Sequence, residues 1–114
     1  MLVTIAIILL MLAVSVGVFI LKAVLKNQAT PKPFVFLHGP LAITAIVLLI
    51  VNIYKGHTEG LLFASVVILI GAALGGLTMF TMDMCNKRFP KSLAIIHPIA
   101  GITGLIVLII YAFQ

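Results

Sequence analysis

Acidic residues are nearly missing from this chain: Asp and Glu together number two in 114 residues, against seven Lys and Arg. Charged residues make up only 8%, where a water-soluble surface needs roughly a quarter. That shortage excludes an ordinary soluble domain. Tryptophan is absent and cysteine occurs once, at Cys85, so no intramolecular disulfide can form and the compartment is not revealed. The two acids, Glu59 and Asp83, stand in or near loops. A four-span transporter or channel would want a charge within the apolar runs to couple protons or bind cations, and that reading is weak. A nucleic-acid partner would need basic residues on a water-facing surface with stacking aromatics, and none is visible.

What is abundant is apolar sequence, 64% of the chain. A bilayer core of about 30 Å calls for runs of about 20 apolar residues. Four are present, about Leu2–Leu25, Phe34–Tyr54, Leu61–Met82 and Leu93–Phe113. The expected fold is therefore all-α, one domain over 1–114, with four transmembrane helices. Short connections favour an up-down-up-down bundle, in which the second and fourth helices occupy diagonal corners. The first run lacks a basic leader, is too long and has no convincing small-x-small cleavage site, so it is expected to be a retained span rather than a signal peptide.

Six of the seven basic residues sit in two places, at or in two loops: Lys22, Lys26 and Lys32, then Lys87, Arg88 and Lys91. By the positive-inside rule both loops are cytoplasmic and both termini lie outside, as in an integral protein of a bacterial inner membrane. The intervening loop, Lys55 to Glu59, has one Lys and one Glu, with His57 expected to be solvated and Thr58 a candidate N-cap for the third span. Ser92 is the corresponding candidate for the fourth. Pro98, inside that span, is expected to bend it.

The chain also repeats itself. Shifted by 59 positions without a gap, it matches itself at twelve residues. Leu on Leu says little, but Gly17/Gly76, Asn27/Asn86, Pro31/Pro90, Lys32/Lys91, His38/His97 and Thr44/Thr103 are rarer types falling in register. This argues for two tandem two-helix units, 1–55 and 60–114.

Ionisable residues inside a bilayer are costly and point to function. His38 and His97 sit at one depth, about a turn below the basic loops, on the two diagonal helices. Helix axes about 8–10 Å apart put the diagonal at roughly 11–14 Å, too wide for the imidazoles to bond each other and suited to one metal between them. Zinc wants three or four protein ligands, and no acid or Cys accompanies these two. Haem needs only axial ligands. On a helix, positions four and seven beyond each histidine share its face, giving Ala42 and Ala45, and Gly101 and Gly104. With Ala13/Gly17 and Ala72/Gly76 on the other helices, small residues line the expected interior and leave room for a flat macrocycle. Lys32, Arg88 and Lys91 at the rim are expected to meet haem propionates. Structural histidines bonded to backbone, another metal, or a proton relay remain alternatives. Thr44 and Thr103, on another face, are expected to bond backbone or a neighbouring helix.

With His38 and His97 on helices two and four and Gly17 and Gly76 on helices one and three, the chain resembles the four-helix haem-binding core of the cytochrome b subunit of quinol–cytochrome c oxidoreductases, and similar small membrane b-type cytochromes. The resemblance implies one bis-histidine haem b near the cytoplasmic side and one-electron transfer. Quinol or a redox protein would be the partner, alone, as a homodimer, or within a larger membrane complex. It departs from that core in lacking a second ligand pair: Val51, Asn52, Ile110 and Tyr111 stand there. The rival from another class is a cofactor-free accessory or assembly subunit whose small-residue faces merely pack helices.

Overall fold

A computed structural model describes residues 1–57 and 59–114. It contains four α-helices: α1 Leu2–Leu25, α2 Lys32–Tyr54, α3 Gly60–Met84 and α4 Lys91–Ala112. Each is long and apolar enough to cross a membrane. The bundle measures 43 × 23 × 21 Å, and its long axis matches a bilayer with its headgroup layers, about 40–45 Å. Every sequential pair of helices packs together and α1 packs on α4, which closes a four-cornered bundle with α2 and α4 diagonal. The pairs within each repeat, α1 with α2 and α3 with α4, share much larger interfaces than the pairs between repeats.

The helix ends follow from the residues that repeat. Asn27 and Asn86 take the left-handed conformation, at φ 56° and 57°. Asn tolerates this backbone better than other non-glycine residues, and it lets the chain fold back on the helix end. The next amides, of Gln28 and Lys87, donate to the carbonyls of Ala23 and Met82 at 2.9 and 2.8 Å. Pro31 and Pro90 then cap α2 and α4, their fixed φ leading into the first turn. The helices thus begin at Lys32 and Lys91, earlier than hydropathy alone suggests. Ser92 is corrected from N-cap to a residue inside the first turn. Glu59 takes the cap position of α3, while Thr58 lies outside the described residues.

The core fills only one half of the bundle. Ala6, Leu10, Ala45, Leu49, Leu62, Val66, Leu69, Leu105 and Leu108 bury one another toward the Lys55 end. Large apolar side chains such as Phe19, Phe63 and Ile99 face outward, as a lipid-facing surface requires. Toward the two basic loops this packing stops and a cavity opens.

Candidate functional site

The cavity has a volume of about 510 Å³ and takes in both histidines. Gly17, Ala42, Gly76 and Gly101 line it, and Ile46 and Leu69 close its floor. The side chains of His38 and His97 meet across it with ring centroids 6.0 Å apart and planes at 81°. Pro40 and Pro98 both remain within continuous helix. Each removes one backbone donor, opposite the carbonyls of Phe36 and Ala94, without turning the histidines away from each other.

Each ring is held by its own repeat. Nδ1 of His38 donates to the Ala13 carbonyl at 2.7 Å, and Nδ1 of His97 donates to the Ala72 carbonyl at 2.7 Å. A carbonyl can only accept, so both Nδ1 atoms carry the proton, and the neutral imidazole keeps its lone pair on Nε2. The acceptors are repeat-equivalent and stand 25 residues from their histidines in both halves.

The glycines explain how a ring reaches a helix carbonyl. Such a carbonyl points along the axis toward the residue four positions on, whose amide it already binds. A second donor must lie over that residue, which is Gly17 for Ala13 and Gly76 for Ala72. A Cβ built at Gly17 would stand 3.0 Å from His38 Cε1, and one at Gly76 would stand 2.8 Å from His97 Cε1. These glycines therefore make room for the imidazoles themselves.

Two of the expected lining residues are corrected. Ala45 is fully buried in the apolar core, and Gly104 packs against Leu69, whose Cγ and Cδ2 would lie 2.8 Å from an added Cβ. Both share the histidine face, but they lie about 10 Å further along their helices, where the bundle has already closed. The rim lysines and arginine are also placed differently. Lys32 Nζ pairs with Asp83 Oδ2 at 2.6 Å and donates to Thr30 Oγ1 at 2.7 Å, while Thr30 Oγ1 donates to the same carboxylate at 2.7 Å. Sequence spacing gave no sign that Asp83 would reach across the repeats to take it. Arg88 and Lys91 line a second, smaller cavity of about 350 Å³ rather than the histidine cavity. The two cavities share Val24, Thr30, Asp83 and Phe89.

Of the remaining candidates, Thr103 Oγ1 bonds the Ile99 carbonyl of its own helix and His57 is exposed. At the opposite end Tyr111 lies 3.4 Å from Glu59. Among the described residues no three of His, Cys, Asp and Glu gather into a metal-binding group, which leaves a two-donor arrangement. No family model matches the chain, and neither a curated protein nor a solved structure does.

Proposed function

We propose that this membrane protein is a b-type cytochrome whose His38 and His97 hold one haem between them and which passes single electrons. The reading is supported above all by the separation and state of the two rings. Metal–imidazole bonds are about 2 Å long, so two imidazoles on opposite sides of one metal have centroids roughly 6 Å apart. The observed spacing is 6.0 Å, and both Nε2 atoms keep the lone pair that ligation uses. Bonds from Nδ1 to backbone carbonyls are also the outer partners that orient metal-bound histidines and raise their basicity.

The lining suits a flat apolar group, and its volume lies within the range of small-ligand and cofactor sites, about 300–1,000 Å³. A haem here would supply reversible one-electron chemistry at an iron with no open coordination position. The chain's own part is to fix two ligands, exclude water and keep the group at the end of the bundle that carries the basic loops. That end faces the cytoplasm of a bacterial inner membrane in this reading. Quinol or a redox protein would exchange electrons with it. The propionate role expected of Lys32, Arg88 and Lys91 does not enter, since none of the three lines the histidine cavity.

A second reading draws on the same bonds. Each histidine already ties two helices of its own half, which is also what a cofactor-free accessory subunit would need. A reduced-minus-oxidised visible spectrum of the purified protein, with haem quantified per chain, separates them. One haem per chain, lost in both H38A and H97A, is the expected result. Full haem content in either variant overturns the ligand assignment. A colourless protein from haem-replete cells leaves the accessory reading.

A further inference from the structure

The two ends of the repeat that carry Lys32 and Lys91 are not equivalent in their partners. Around Lys32 stand Thr30 and Asp83, which take up its ammonium group. Shifted by 59 positions, the same three places are Phe89, Lys91 and Val24. The position equivalent to Asp83 in the other repeat is thus a valine, and among the described residues Lys91 makes no ion pair. The second cavity, about 350 Å³, is built around this difference and is lined by Val24, Phe89 and Lys91 together with Lys87, Arg88, Asn27 and Gln28. Its one acid, Asp83, is already neutralised by Lys32. The chain's other acid, Glu59, precedes α3 at the far end of the bundle. Among the described residues, then, three cations share this hollow with no carboxylate left to pair them, and Asn27 and Gln28 add uncharged amides.

We propose that this hollow is a receptor for a phosphate-bearing anion, with Arg88 and Lys91 as its principal ligands. The arginine fork grips phosphate oxygens in pairs, and lysine adds a point charge. The hollow lies at the ends of α1 and α3 and the start of α4, the end of the spans where a bilayer around them would place its headgroups. Basic pockets between spans on the cytoplasmic side commonly take anionic headgroups. Val24 and Phe89 give the apolar flank that an acyl chain or glycerol backbone would lie against. The proposal is independent of the haem reading, because none of the three cations lines the histidine cavity.

The test uses the full chain in mild detergent, probed by native mass spectrometry with phosphatidylglycerol or phosphatidylcholine, and by calorimetry with inorganic phosphate. One phosphatidylglycerol retained per chain in preference to phosphatidylcholine is expected. R88Q/K91Q should weaken that retention about 30-fold, at about fivefold per charge. K22Q/K26Q removes the same net charge outside the hollow and should change retention less than about threefold. V24D puts an acid into the lining, at the repeat-equivalent of Asp83, and should also abolish binding. Saturable inorganic phosphate binding lost in R88Q/K91Q, without lipid selectivity, would support the site and assign its source to soluble phosphate. Equal retention of both lipids with no phosphate binding overturns the proposal, as does a K22Q/K26Q loss equal to that of R88Q/K91Q.

Discussion

Replacing Gly76 with Ala tests how the histidines are held, and its size follows from the geometry. The added Cβ would stand 2.8 Å from His97 Cε1 and 3.3 Å from Nε2, so the ring must move. The ring is pinned by the 2.7 Å bond from Nδ1 to the Ala72 carbonyl, so moving it stretches that bond. Overpacking of this kind costs about 1–3 kcal/mol, and a lost hydrogen bond about 0.5–1.5 kcal/mol. The better helix propensity of alanine returns up to about 1 kcal/mol. A net loss of about 0.5–3.5 kcal/mol is expected for G76A. At Gly17 the added atom meets Cε1 at 3.0 Å, a few tenths of an ångström easier, so G17A should lose less. Gly71 meets nothing within 4 Å, and G71A should be neutral or slightly stabilising. The assay is unfolding by a denaturing detergent followed by helical circular dichroism, with haem content recorded in parallel. G76A as stable as G71A, or G17A more damaged than G76A, would refute the cradle argument.

Several other substitutions separate stability from ligand binding. G104A drives a methyl against Leu69 in the apolar core and should destabilise by about 1–3 kcal/mol; under the proposed haem reading, haem per folded chain should stay unchanged by absorbance of the folded fraction. D83N breaks an ion pair whose lysine side chain is 46% exposed, so its cost should stay at or below about 1 kcal/mol and shrink as ionic strength rises in the same unfolding assay. T103A removes only a bond within its own helix turn and should change stability by less than about 0.5 kcal/mol. Cys85, exposed at the end of α3 beside a basic loop, reports topology. A membrane-impermeant maleimide should label it in inside-out vesicles and not in intact cells, and the reverse result would invert the orientation.

Much of the architecture was legible because membrane helices announce themselves by length and apolarity, and because the repeat put rare residues in register. His38, His97, Gly17 and Gly76 could be picked out that way. What the glycines do could not. Spacing says that a small residue faces inward, but not that the carbonyl four residues earlier must be reached over it. Ala13 and Ala72 were visible as an identical pair, yet an alanine signals nothing about its backbone oxygen. Ala45 and Gly104 share the histidine face but not its depth, and a helical wheel carries no depth. The Lys32–Asp83 pair was illegible for another reason: the two residues are 51 positions apart, and only the closed bundle brings them together.

The bonds that hold the histidines have a consequence for biogenesis. His38 is secured by α1 and His97 by α3, so each hairpin can finish its own jaw before it meets the other. The cavity belongs to neither hairpin and exists only along the thinner seam between them. A group gripped by both rings would then act as a rivet across that seam. Its arrival would add a second fastening at the open end of the bundle, beyond the apolar core that already joins the hairpins toward the Lys55 end.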